Sequence, residues 1–340
     1  MTRVEHATRS SRIGLALIAV GLIALMLAPY WSDRATLRLL AEMSTYVTLA
    51  SLWNLLAGYA GLVSVGQQAY VGLGGYLLFW LAIILGVHPI AAVPIAGVVS
   101  ALLSVPVATL MFRLRGAYFA IGTWVMAEVF RLIASQLSTL GGGSGISLPA
   151  AIVIAMAPSR QARDFEIYWL ALGITVITLV AIVALLRSRH GLALTAIRDN
   201  EVAAQSNGVD VRMVKFLVYV LTAFGTAMTG AVIFLMKLRI SPDTAFSVND
   251  WTAFVIFITV IGGIGRIEGP IIGTVIFFAL RETLADLGSL YLLMMGAVAI
   301  VIMLWAPKGL WGLTAERLGW QALPLRRYLV THSVPTRGAP

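Results

Sequence analysis

The chain has 340 residues, 59% of them hydrophobic and only 11% charged, too little polar surface to cover a water-soluble domain of this length. It lacks cysteine, and its four histidines (His6, His88, His190, His332) lie far apart, which excludes disulfides, thiol chemistry and a histidine metal cluster. The net charge of +9 in so apolar a chain marks membrane flanks rather than a nucleic-acid surface, so no cofactor, metal or nucleic-acid partner is expected.

The expected fold is an all-α polytopic membrane protein of about 8–10 transmembrane helices with Gly-rich broken or re-entrant segments. Arg3, Arg9 and Arg12 precede an apolar run from Ile13 that is too long for a signal-peptide core and is followed by no small-residue cleavage site, so it reads as the first anchor. Residues 1–12 form the N-terminal segment, 13–306 the membrane domain and 307–340 a basic, Pro-containing tail expected to be partly disordered. Apolar runs place spans at 13–30, 39–58, 69–87, 89–112, 117–137, 167–186, 214–236, 252–264, 267–286 and 289–306. Ten crossings put both termini on one side. If that side is the cytoplasm, its segments hold sixteen of the 24 basic residues against six outside, in accord with the positive-inside rule.

The first interruption is GYAGLVSVGQQAYVGLGG, residues 58–75. Its six glycines would cost a regular helix roughly 5 kcal/mol relative to alanine, so the stretch reads as broken. Irregular backbone at membrane depth must be buried in protein or line a wet cavity, and Gln67, Gln68 and Tyr70 suit either setting; the alternative is that the small residues merely let two helices approach. In YFAIGTWVMAEVFRL, Tyr118 and Thr123 precede Glu128 and Arg131, which lie three apart on one helix face and can pair. Residues 138–166 form a Gly-rich outer segment and 237–251 a second outer loop. A second interruption, VIGGIGRIEGPIIG (260–273), reads either as a tight turn between two spans or as part of a pathway. Arg281, Glu282 and Asp286 fall near the outer end of their span, where they can snorkel.

The most specific local pattern is the loop at 187–213. In HGLALTAIRDNEVAAQSNGVDVRMVKF, Asp199 or Asn200 can cap a short helix, Glu201 stands in its first turn and Asn207-Gly208 stops it. Ala203 and Ala204 let that helix approach another surface closely, either a partner or its own bundle.

These stretches resemble the LivM-type permease subunits of ABC importers for branched-chain amino acids. The likeness is carried by SLWNLLAGYAGLVSVGQQAYVGLGGY (51–76), FRLRGAYFAIGT (112–123), LGGGSGISLP (140–149), GLALTAIRDNEVAAQSNGVDVRMVKF (191–216), SPDTAFSVNDW and VIGGIGRIEGPIIGTV (within 241–275), and APKGLWG (306–312). The resemblance implies that Arg198, Asp199, Asn200, Glu201, Ala203, Ala204 and Gly208 belong to a coupling loop that engages a cytoplasmic ATPase subunit. It also implies a homologous LivH-type permease partner, a periplasmic substrate-binding protein and a site in the bacterial inner membrane, both termini being cytoplasmic. On this reading Gln67, Gln68, Tyr70, Tyr118, Thr123 and Glu128 are the pathway candidates. The chain departs from the family pattern in Val202 before Ala203-Ala204, in Gln67-Gln68 where a histidine and a small residue are frequent, in Gly143-Ser144 in the outer loop and in Ala117. Urea, amides or other small solutes therefore stand beside branched-chain amino acids as substrates. The chain contains no G-x-x-x-x-G-K-[ST] phosphate loop, so ATP hydrolysis of that kind falls to another subunit. The rival is an ion-coupled secondary transporter using Glu128 and Arg131 as a relay; a membrane enzyme lacks the convergent nucleophile, base or metal ligands it would need.

Overall fold

Asp33 turns the chain between its first two helices, α1 (Arg9–Trp31) and α2 (Arg34–Asn54), in a computed structural model that describes residues 2–5, 9–157, 159–284, 290–306, 309–313 and 328–331. Its carboxylate caps α2 by accepting from the backbone N–H groups of Ala35 and Thr36, both at 3.3 Å, and hydrogen bonding from Thr36 holds it below the usual carboxylate range. α1 turns Leu17, Val20, Ile23 and Leu27 outward, whereas α2 is buried on nearly every side beyond Ser44. The difference follows from neighbours: α2 packs against four other helices.

Beyond Asn54 the helix widens into a π turn (Leu55–Tyr59), the chain leaves helical geometry over residues 60–66, and α3 (Gln67–Ile83) begins. Its 17 residues span about 25 Å, less than the ~30 Å of hydrocarbon, so α3 starts inside the bundle. Next come α4 (Pro89–Met111), α5 (Ala117–Ser135), the short α6 (Ala150–Met156) and α7 (Arg160–Arg187). The loop after α7 holds α8 (Arg189–Asp199) and α9 (Glu201–Ser206). α10 (Val211–Lys237), α11 (Pro242–Ala245), α12 (Phe254–Gly262) with a π turn before it (Asn249–Ala253), α13 (Glu268–Leu284) and α14 (Leu290–Trp305) complete the bundle.

Each of the ten expected spans has a helix at its place, and six of the described helices are long and apolar enough to cross a membrane. The all-α polytopic class is therefore observed. Two short antiparallel pairings add to it: Ile146–Ser147 with Arg239–Ile240 tie the segments 138–166 and 237–251 together, and Thr2–Glu5 with Tyr328–Thr331 bring the chain ends to one place. That second pairing lies within a tail expected to be partly disordered; residues 307–308, 314–327 and 332–340 of the tail, and Asp286, lie outside the described residues.

α10 is the central post, packed on α2, α3, α4 and α7. Its contact with α3 is backbone to backbone: a Cβ on Gly74 would collide with the Ala227 carbonyl, and one on Gly230 with that of Val71. Thus Gly72, Gly74 and Gly75 of the first interruption serve close packing along α3, whereas Gly61 has open space around it and a positive φ. The second interruption is a tight turn between α12 and α13, with Gly263 and Gly265 at positive φ and Gly262 pressed on the Gly269 carbonyl. Arg281, expected to snorkel, instead turns inward: its Nη1 and Nη2 donate to Glu42 Oε1 and Oε2 at 2.7 and 3.1 Å, and its guanidinium stacks 4.2 Å from the Phe278 ring.

Candidate functional site

The six pathway candidates separate into two groups. Four gather at the break that precedes α3. Gln67 and Gln68 are 3% and 1% exposed and their side chains are engaged: Gln67 Nε2 donates to Thr226 Oγ1 of α10 at 2.9 Å, and Gln68 Oε1 accepts from Thr252 of the π turn before α12. Tyr70 donates its hydroxyl to Tyr219 of α10 at 3.0 Å, with the two rings edge to face. Thr123 of α5 accepts from the Val65 N–H at 3.1 Å, and a Cβ on Gly66 would strike the Thr123 carbonyl. Ala60, Leu62, Ser64 and Gly66 of the irregular stretch are thus buried in protein, with polar groups supplied by the surrounding helices, whereas Gly61 and Val63 are exposed.

Tyr118 and Glu128 lie elsewhere, on the outward face of α5. Tyr118 is 74% exposed, and Ile121, Val125, Val129 and Leu132 share that side of the chain. Glu128 Oε1 accepts from Arg131 Nε and Nη2 at 2.8 and 2.6 Å, and Arg131 Nη1 reaches Asp243 Oδ1 of α11 at 2.8 Å. The i,i+3 spacing produces the expected pair, and Asp243 makes it a triad that ties α5 to α11.

At one end of the bundle the loop after α7 folds as the pattern predicts. Asn200 rather than Asp199 caps α9, its Oδ1 accepting from the Ala203 N–H at 3.0 Å, while Asp199 pairs with Arg198 at 3.3 Å. Glu201 accepts from Lys215 Nζ of α10 at 2.8 Å, fixing the approach of α9, and Gly208 at φ +82° ends the turn. The two alanines face opposite ways. Ala204 is 2% exposed and packs into the chain's own core with Ile197 and Val214, whereas Ala203 and Val202 are exposed. Arg198 also lies beside the α12–α13 turn, 3.8 Å from the place a Cβ on Gly265 would occupy.

The opposite end holds a feature the sequence reading did not assemble. The first turns of α2 and α7, the last turns of α10 and α13 and the π turn before α12 enclose a cavity of about 370 Å³. Charged residues of both signs line it together with Tyr46, Trp251 and Phe254. Asp164 binds Arg34 and Arg38, at 2.5 and 3.2 Å, and Glu42 binds Arg281. Lys237 places its ammonium 4.7 Å from the centre of the Trp251 ring and 5.6 Å from that of Phe234. A basic residue in the last turn of a helix looks in sequence like ordinary dipole compensation, so nothing along the chain joins Lys237 to Asp250.

Residues 35–304 match the family described as branched-chain amino acid transport system / permease component. The high-affinity branched-chain amino acid transport system permease protein LivM of Escherichia coli (strain K12) is 28% identical over 335 residues, covering 92% of this chain and 78% of that protein. Its counterpart in Salmonella typhimurium is 27% identical over the same shares. A probable branched-chain amino acid transport permease protein LivM of Methanocaldococcus jannaschii is 24% identical over 314 residues, 78% of this chain and 89% of that one.

Proposed function

Since the chain belongs to the family of branched-chain amino acid transport system permease components, we propose that it is the membrane-spanning permease subunit of an ABC importer for branched-chain amino acids or related small polar solutes. The observation that carries the coupling part is α9: a capped, two-turn helix held at one end of the bundle by Glu201–Lys215, with Val202 and Ala203 turned outward. A small side chain there leaves the helix backbone open to a groove on a cytoplasmic ATPase subunit. Motion imposed on α8 and α9 is passed to the α12–α13 turn beside Arg198, and through Asn54 to the end of α2.

In this reading the loop end is cytoplasmic, in the bacterial inner membrane, and a periplasmic binding protein delivers solute at the opposite end. The outward face of α5 meets a LivH-type partner, and the path runs along it past Tyr118 and Glu128. The break holding Gln67, Gln68, Tyr70 and Thr123 forms the wall behind, so that a shift of α3 is felt at α5.

Reconstituting the chain with its cognate partner, ATPases and binding protein in proteoliposomes tests this. ATP-dependent leucine uptake is expected, abolished by Ala203→Trp without loss of the subunit from the membrane. Uptake by this chain alone, driven by an ion gradient, overturns the assignment, and saturable uptake of urea or an amide but not leucine reassigns the solute.

A further inference from the structure

We infer that the cavity at the end opposite α9 is a binding site for a small zwitterion, an α-amino acid with an apolar side chain. Charges are left over in its wall. Among the lining residues, Asp164 is taken by Arg34 and Arg38, and Glu42 by Arg281 in a bidentate pair. Lys237 and Asp250 make no ion pair with a described residue, yet lie close enough to interact electrostatically. They stand only 13 positions apart in the chain, at the end of α10 and in the π turn before α12, and the Trp251 ring lies beneath the ammonium. The ring is itself fixed, because Trp251 Nε1 donates to the Thr244 carbonyl at 2.8 Å.

Lys237 is exposed and Asp250 half-buried, so both charges reach the cavity and are open to any ligand that bridges them. A ligand carrying a carboxylate and an ammonium on one carbon does so, the carboxylate meeting Lys237 and the ammonium meeting Asp250. Its apolar side chain then lies against Phe254, Tyr46 and Met236, which line the same space. The volume of about 370 Å³ falls within the roughly 300–1,000 Å³ of small-molecule sites. Arg163, also in the wall but on α7, adds positive potential that favours the carboxylate. The identity of the solute rests on the importer reading; the site itself rests on the cavity alone. It would act as an outer station in the permease, loaded before the pathway opens.

The test is equilibrium binding of leucine to the assembled importer in nanodiscs, without ATP or binding protein. Leucinamide, which lacks the carboxylate, and 4-methylpentanoate, which lacks the ammonium, are each expected to bind at least about tenfold more weakly, the loss of one charge-assisted contact. Lys237→Met should bring leucine down to the affinity of leucinamide, and Asp250→Asn down to that of 4-methylpentanoate. Lys237→Arg should restore the preference for the carboxylate, separating charge from fold. The proposal is overturned if both variants keep full affinity and discrimination, if 4-methylpentanoate binds as well as leucine, or if no leucine binds while ATP-dependent uptake is normal. Displacement by glycerophosphoethanolamine but not by leucine also overturns it, assigning the cavity to a lipid headgroup. Absence of any amino-acid uptake by the intact complex, with leucine still bound in the cavity, counts against the importer reading and leaves the site standing.

Discussion

Asn54 grips Gly265 from the far side of the sequence: its Oδ1 accepts from the Gly265 N–H at 2.7 Å, and its Nδ2 donates to the neighbouring Arg266 carbonyl at 2.8 Å. One buried carboxamide therefore satisfies both backbone groups of the α12–α13 turn, at a point where Gly265 needs a φ of +76° and Gly58 must lack a side chain to let the turn approach. Asn54→Ala removes the acceptor of the part-buried Gly265 N–H and the donor to the Arg266 carbonyl, at a cost of ~1–3 kcal/mol for a group left unsatisfied. The purified subunit should melt several degrees lower. Asn54→Asp keeps the acceptor for Gly265 but turns a charged oxygen on the Arg266 carbonyl in a buried place, so it too should melt below wild type. Equal melting temperatures for all three proteins would show that the clamp holds nothing.

The two alanines of α9 should behave differently although they are adjacent. Ala203→Trp adds bulk to an exposed face, so the subunit should insert and melt normally while the assembled importer hydrolyses ATP without moving solute. Ala204→Trp pushes a ring into the packed space beside Ile197 and Val214, and overpacking of that kind costs about 1–3 kcal/mol. Its signature is a lower melting temperature of the isolated subunit. If instead the Ala203 variant loses stability and the Ala204 variant does not, the orientation of α9 is reversed.

Gly74 and Gly173 offer a matched comparison on two helices. A Cβ on Gly74 meets the Ala227 backbone of α10, whereas one on Gly173 in α7 meets nothing within 4 Å. Gly74→Leu must force α3 from α10 and should sharply reduce the folded yield. Gly173→Leu enters open space and gains helix propensity of under about 1 kcal/mol, so it should be neutral or slightly stabilising. Equal yields would mean that α3 and α10 are not in the backbone contact described.

Much of this was readable along the chain because its signals are local. The apolar run lengths placed a described helix at each of the ten expected spans, and the Asn-x-x and Asn-Gly punctuation located both ends of α9. The spacing of Glu128 and Arg131 foretold their pair, but Asp243 joins it from 112 positions away and no local pattern points to it. The same holds for Glu42 and Arg281, and for Gln67 with Thr226, where a threonine on a distant helix decides what the amide does. Sequence named Gln67 and Gln68 as unusual because polar residues stood in an apolar run; it could not tell whether they faced a path or a neighbouring helix. Their partners show that the amides stitch α3 to α10 and to the turn before α12. The charged cavity was hidden because its wall is drawn from five separate segments, each charge looking like an ordinary helix end.

The triad on α5 decides between an ATP-driven and an ion-driven transporter. Arg131 serves two carboxylates, so Glu128→Gln still leaves Arg131 paired with Asp243, while Arg131→Met strands both acids. An unpaired charge near the centre of a span costs on the order of 2.5–3.5 kcal/mol on insertion scales. Glu128 stands eleven residues into the 19 of α5, so the methionine variant should be the more damaging by membrane-inserted yield. A proton relay through Glu128 predicts the reverse order in uptake, with Glu128→Gln inactive and transport abolished by a protonophore. A structural triad in an ATP-driven permease predicts that Glu128→Gln keeps most of its uptake and that collapsing the proton gradient, with ATP supplied, changes nothing. Protonophore-sensitive uptake lost in Glu128→Gln would move the energy source from the ATPase to the α5 face.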